Sequence, residues 1–271
     1  MIDLKGHQAL ITGSSKGVGR SIAEAYAAAG ADVLIHGRTL GPEARDVLST
    51  CQALGVMARF IEGDLSGPTE DAVARVFSGA LEAMPGVDIL VNNAGQYFDL
   101  PFLDMTLERF ERTMRLNVGS AYFLTQAFAR HWVSQGVEGR VLFIGSINGR
   151  LAEPQSTAYD VSKGAIEMAV KTLCVALAPH GIRVNGLAPG LVRTPQTDWI
   201  DQRPAQARWI AHHTPNGQVP PAGVCGPGAV YLVSDSAQHV HGHMLLVDGG
   251  MSAWQQPEAD GWKEHGEEGA A

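Results

Sequence analysis

The most constraining stretch of the chain lies near its start. A short apolar run, Ala9-Leu10-Ile11, passes directly into T-G-S-S-K-G-V-G at 12–19, and a helical pattern follows over 20–29. Strand, glycine turn and helix in immediate succession form the first half of a βαβ unit. Gly13, Gly17 and Gly19 permit a tight turn and close approach of a ligand to the backbone. The helix N-terminus then directs free N–H groups and a positive dipole end at that ligand. A dinucleotide phosphate fits such a turn, with Ser15, Lys16 and Val18 in the same loop; a purely structural glycine turn is the alternative.

The remainder repeats this alternation. Helical patterns at 43–54, 68–84, 107–131, 159–177 and 228–235 are interleaved with strand patterns at 32–36, 57–61, 87–91, 140–144, 182–187 and 244–247. No linker or internal repeat interrupts the series, so one domain over 1–254 is expected. Residues 191–228, rich in Pro, Gly, His and Trp, read as a substrate lid with short helices. The polar, acidic tail at 255–271 reads as mobile.

The ends of the strands carry the polar signals. After the second strand stands His36-Gly37-Arg38. Folds that bind a dinucleotide without a 2′-phosphate usually place an acidic residue here, whereas an arginine accommodates that phosphate. Gly37 takes the acidic position, and Arg38 with Lys16 forms a two-cation clamp, two ordinary surface cations being the alternative. NADP(H) is therefore favoured over NAD(H). Asp64 and Leu65 follow the third strand, where ligands of open α/β sheets bind, although an Asp in such a place also caps turns. Asn93, Ala94 and Gly95 follow the fourth. Asn117 lies inside a helical pattern among apolar neighbours, which calls for a buried amide with a specific partner.

The fifth strand delivers Ser146, and thirteen residues later comes Tyr159, with Lys163 four residues beyond it. Residues four apart share a helix face. A cation beside a phenol favours the phenolate and lowers a pKa that is otherwise about 10, giving a tuned general acid/base. By itself the Tyr/Lys spacing is common on solvated helices; the other motifs give it weight.

Composition narrows the function classes. Lys and Arg number 20 against 28 Asp and Glu, a formal net charge of -8, so nothing resembles a basic field for nucleic acid or an anionic membrane. Cys51, Cys174 and Cys225 are scattered and read as reduced packing residues. No segment has the length and apolarity of a membrane span, and no signal peptide is evident, so a cytoplasmic location is expected. His239, His241 and His243 alternate, but no matching carboxylate or cysteine spacing accompanies them, and no metal site is assigned. Trp199, Trp209 and Trp254 read as an aromatic wall, an interface or ordinary packing.

Taken together, T-G-S-S-K-G-V-G, the N-N-A-G at 92–95, Ser146, Y-D-V-S-K at 159–163 and Pro189-Gly190 with Val192 and Thr194 resemble the motifs of the short-chain dehydrogenase/reductase family over about residues 4–250. The resemblance implies a single-domain, Rossmann-like, doubly wound parallel sheet of about seven strands with helices on both faces, in a homo-oligomer that is a tetramer or else a dimer. It implies hydride transfer between nicotinamide and a small carbonyl or secondary alcohol. Tyr159 becomes the proton carrier. Lys163 tunes it and holds the nicotinamide ribose, Ser146 binds the substrate oxygen, Asn117 holds a relay water, and Thr194 holds the nicotinamide amide. The H-G-R after the second strand is similar to that of gluconate 5-dehydrogenase relatives, so a sugar, sugar acid or polyol is the first expectation and a 3-oxoacyl reductase the second. A non-catalytic dinucleotide-binding regulator is the distant alternative, disfavoured by an intact Asn117, Ser146, Tyr159 and Lys163.

Overall fold

The computed structural model describes residues 2–253. Seven strands form one parallel sheet in the order β3-β2-β1-β4-β5-β6-β7, where β1 is Gln8–Ile11, β2 Asp32–Gly37, β3 Ala58–Glu62, β4 Ile89–Asn92, β5 Arg140–Ile144, β6 Arg183–Pro189 and β7 Met244–Val247. The central strands carry apolar residues on consecutive positions because both faces of a parallel sheet are covered. Ile89, Leu90 and Val91 are all fully buried. Each such side chain contributes about 1.5–3 kcal/mol on burial.

Two cores result. On one face α1 (Gly17–Ala28), α2 (Pro42–Ala53) and α9 (Cys225–Val233) cover Ala9, Ile11, Val33 and Ile35. On the other, α3 (Thr69–Ala83), α5 (Ser120–Gln135) and α6 (Thr157–Leu177) cover Leu10, Leu34 and Leu90. Alternate residues of β1 and β2 thus serve opposite cores, as a strand's period of two requires. Two further short helices, α7 (Trp199–Gln202) and α8 (Pro204–His213), lie in the segment between β6 and α9.

The strand order reverses between β1 and β4, which pair in parallel with Leu10 opposite Leu90. The crevice beyond their carboxyl ends is where open α/β sheets bind ligands. Here it receives the glycine turn from β1 and the N-N-A-G segment from β4.

The helical pattern at 107–131 is not one α-helix. It divides into α4 (Leu107–Met114), a π-helical turn (Arg115–Gly119) and α5, which runs on to Gln135. Hydrophobic spacing registers the overall helix and misses the one extra residue per turn that a π segment inserts. The last helix also starts earlier than the pattern at 228–235, at Cys225, since Pro227 falls in its first turn, where an N–H has no helical partner to lose.

Candidate active site

A cavity of about 770 Å³ opens at the carboxyl ends of the strands. Its dinucleotide side is backbone held by side chains. Gly13 and Gly17 have φ of +62° and +60°, a region that favours glycine. A Cβ on Gly13 would lie 3.0 Å from Ala94 Cα. The Thr12 hydroxyl accepts the N–H groups of Asn93 and Ala94, each at 3.0 Å, and the Asn93 side chain donates to the carbonyls of Thr12 at 2.8 Å and Gly13 at 3.0 Å. The two strand-end motifs are therefore stapled to each other across the switch point. Lys16 occupies the N-cap of α1 and makes no side-chain cap, leaving the helix's first N–H groups to the cavity.

His36 sets the turn from below. Its Nδ1 accepts the Gly13 N–H at 3.0 Å. The ring is only 3% exposed, and burial lowers its pKa to about 4, so the neutral imidazole is the form that accepts. At the neighbouring Gly37, a Cβ would approach the Ser15 hydroxyl to 2.5 Å, so an acidic side chain at this position would require Ser15 to turn away. Lys16 and Arg38 both line the cavity and are exposed. Asp64 also lines it while serving its own turn: Oδ1 accepts the N–H and hydroxyl of Ser66 at 2.9 and 2.7 Å, bonds that with nearby Arg38 and Arg112 lower its pKa. The turn role is thus present, and the residue also faces the cavity. These features fit a dinucleotide that ends in a phosphate-bearing ribose.

Ser146, Tyr159 and Lys163 meet at the deep end of the same cavity. Lys163 is 7% exposed and its Nζ donates to the Ile144 carbonyl at 2.8 Å, lying 5.5 Å from the centre of the Tyr159 ring. The sequence suggested that this cation lowers the Tyr159 pKa. In the structure the order of effects is reversed: burial pushes the phenol up to about 12, with Ser146 hydrogen bonding pulling the other way, and burial pushes Lys163 down to about 8. Both groups have lost water, and the ammonium's hydrogen bond goes to the Ile144 carbonyl and not to the phenol.

Asn117 sits in the π-helical turn, 3% exposed. Its Oδ1 accepts the Gln96 N–H at 2.9 Å, while Nδ2 donates to the Gln96 carbonyl and the Ser162 hydroxyl, both at 3.0 Å. It thus joins the segment after β4 to α6 from behind Gly95, whose Cβ position lies 3.3 Å from Asn117 Oδ1. Neither Asn117 nor Gly19 belongs to the cavity wall. Gly19 serves packing instead: a Cβ there would meet Asn93 Nδ2 at 2.4 Å. The other expected positions, Ser15, Val18, Leu65, Ala94, Pro189, Gly190, Val192 and Thr194, all line it.

Several lining residues carry no motif. Asn148 donates its backbone N–H to the Ser146 hydroxyl at 3.1 Å and its side-chain amide to Asp160 at 2.9 Å. Asp160 also accepts the Glu153 N–H at 2.8 Å, fixing the loop after β5 to α6. Tyr97 stands edge-on to Tyr159 with ring centres 5.3 Å apart, and its hydroxyl donates to Asp99. Trp199 and Trp209, on α7 and α8, line the cavity; Trp254 lies outside the described residues.

Comparison with known proteins agrees with this geometry. A short-chain dehydrogenase/reductase family model, described as Enoyl-(Acyl carrier protein) reductase, matches residues 13–252. The chain is 36% identical to the L-rhamnose 1-dehydrogenase (NAD(P)(+)) of Sphingomonas sp. (strain SKA58), over 92% of this chain and 97% of that one. A solved gluconate 5-dehydrogenase from Burkholderia cenocepacia J2315, in complex with NADP and tartrate, superposes with TM-score 0.86 at 32% identity, covering 93% of this chain and 98% of that one. A 3-oxoacyl (acyl-carrier-protein) reductase from Agrobacterium tumefaciens C58 with NADP bound gives 0.83 at 31%, covering 91% and 95%. With its glycine cradle, switch-point crevice and Ser146/Tyr159/Lys163 cluster in one cavity, the chain belongs to the short-chain dehydrogenase/reductase family of NAD(P)-dependent oxidoreductases acting on alcohol and carbonyl groups.

Proposed function

We propose that this protein is an NADP(H)-preferring dehydrogenase/reductase of a sugar, sugar acid or polyol. The carrying observation is that Ser146, Tyr159 and Lys163 share a cavity with Lys16, Arg38 and the glycine turn. The bound cofactor supplies the hydride chemistry. Lys16 and Arg38 hold the 2′-phosphate, Thr194 the nicotinamide amide, and Lys163 the nicotinamide ribose. The Ser146 hydroxyl donates to the substrate oxygen as charge develops there. Tyr159 gives up its proton to that oxygen in reduction and takes it back in oxidation; Asn117 holds the π-helical turn from which a water relays to Lys163.

The sugar reading draws on relatives named for L-rhamnose, glucose and gluconate. A 3-oxoacyl reductase is the second reading, favoured by the similarity to a reductase of that name. A non-catalytic regulator is disfavoured by the intact catalytic set. The family's assembly suggests a homotetramer, or a dimer, in the cytoplasm; no helix among the described residues is long and apolar enough to cross a membrane. One catalytic domain spans 1–254, with its lid at about 191–228.

Absorbance at 340 nm tests the reading, with NADP⁺ and NAD⁺ against sugars and polyols and NADPH and NADH against keto-sugars and an acetoacetyl thioester. Turnover is expected with the sugar class and NADP(H). Reduction of the thioester alone transfers the chain to the second reading.

A further inference from the structure

The cavity is cationic at one end only. Lys16 and Arg38 line its dinucleotide side, Arg112 sits near Asp64 on that same side, and Lys163 is turned inward to the Ile144 carbonyl. The rest of the lining includes the amides of Gln96, Asn148 and Gln196, the indoles of Trp199 and Trp209, and the carboxylate of Glu153. Among the described residues no other Lys, Arg or His lines the cavity except His36, which is buried at the glycine turn. Arg203 of the lid is outside the wall, lying over the Trp199 ring at 5.5 Å and bonded to Gln206. Asp160 and Asp99 stand behind Glu153: the first accepts its N–H, and the second is joined to it through Ser156, whose hydroxyl is 3.4 Å from Asp99 and 3.5 Å from Glu153.

We infer that the substrate side selects an uncharged polyhydroxylated molecule, an aldose or a polyol, and rejects the carboxylate of a sugar acid, with Glu153 setting that preference. The inference rests on the sugar-class reading given above and narrows it. Amides both donate and accept, which matches hydroxyls that do the same. The Gln96 side chain lines the cavity, and its amide nitrogen is buried with no hydrogen-bond partner among the described residues. One face of the Trp209 indole is stacked on His213 with ring centres 4.0 Å apart, and Arg203 lies over one face of Trp199, so each indole has one face left that would suit the C–H face of a sugar ring. A substrate carboxylate beside Glu153 would find no other lining cation among the described residues to pair with, and like-charge juxtaposition disfavours it. Glu153 also contributes, behind burial and as the smallest cause, to raising the pKa of both Tyr159 and Tyr97.

The test uses the full chain with matched neutral and anionic molecules: L-rhamnose, D-glucose and D-sorbitol against D-gluconate with NADP⁺ in oxidation, and L-sorbose against 5-keto-D-gluconate with NADPH in reduction. For the wild-type protein, kcat/KM for the best neutral substrate should exceed that for the best anion by at least about tenfold. Glu153→Gln should narrow the ratio and Glu153→Arg should narrow it further or invert it, mainly through KM, with folding checked by a thermal melt. Competitive inhibition by D-gluconate gives a readout separate from turnover: its Ki should fall in the same order. Wild-type turnover of D-gluconate or 5-keto-D-gluconate matching the best neutral sugar overturns the inference and leaves the sugar-class reading standing. So does a neutral-to-anion ratio that Glu153→Arg leaves unchanged. Activity confined to an acetoacetyl thioester removes both.

Discussion

The dinucleotide side and the substrate side of one cavity are made from different materials. The first is glycine, backbone amides and the side chains that staple them: Thr12 and Asn93 bridge two strand ends, and a Cβ at Gly19 would collide with Asn93 at 2.4 Å. The second is side chains from separate segments, Gln96 after β4, Asn148 and Glu153 after β5, Trp199 and Trp209 on α7 and α8. A backbone-built site admits few sequences. A site built from side chains can change its ligand without changing its fold, which is how relatives named for different sugars share this scaffold.

That contrast can be broken at its boundary. Tyr159 belongs to neither side, and Tyr159→Phe removes the proton while leaving the ring against Tyr97. Turnover should fall by about a thousandfold or more, with NADPH affinity measured by fluorescence titration close to wild type. A variant retaining a tenth of wild-type kcat would remove Tyr159 from the reaction.

The dinucleotide side should be the more acid-sensitive. The His36 pKa is lowered from 6.5 to about 4, so the unfolded chain binds a proton that the folded chain refuses between those values. Stability contributed by the neutral imidazole is present above pH 6.5 and declines as the pH falls toward 4, by at most about 3 kcal/mol. Urea melts at pH 7 and pH 4.5 should show a smaller acid loss in His36→Gln than in wild type. An equal loss would assign the acid sensitivity elsewhere.

Arg38→Ala should weaken NADPH by about ten- to a hundredfold and leave NADH nearly unchanged. Equal weakening of both cofactors in parallel titrations would detach Arg38 from the 2′-phosphate. Smallest is the effect expected on the other side: Trp209→Ala should raise KM for a neutral sugar by about three- to tenfold with kcat little changed. If kcat fell instead, the lid would be part of the chemistry and the division between the two sides would fail.

The same division explains what could be read from the chain alone. All seven strand segments were legible because β-rich apolar runs end in Gly, Asp or Asn at the crevice, and the glycine turn and Tyr159/Lys163 pair have fixed spacings. Glu153, Asn148 and Gln96 have no such spacing; in sequence they are ordinary polar residues of loops, and only the fold shows that they line the same cavity as Tyr159. Asp160 is a variable position of the Y-D-V-S-K motif, with no spacing signal of its own, yet it ties down the loop that carries Glu153 and Asn148. The direction of the Tyr159 shift was also out of reach, because spacing reports the partner and says nothing of the water lost.

The π-helical turn at Arg115–Gly119 makes the protein intolerant of a particular length change. Each residue of an α-helix turns the chain by about 100°, so removing one residue here would rewind everything after it. Leu124, Phe128 and Trp132, now facing the core, would swing away together as Asn117 left Gln96 and Ser162. The insertion works as a phase shifter: it lets one continuous rod aim an amide at the reaction side and a hydrophobic stripe at the core, and a single-codon deletion would cost the protein both alignments at once.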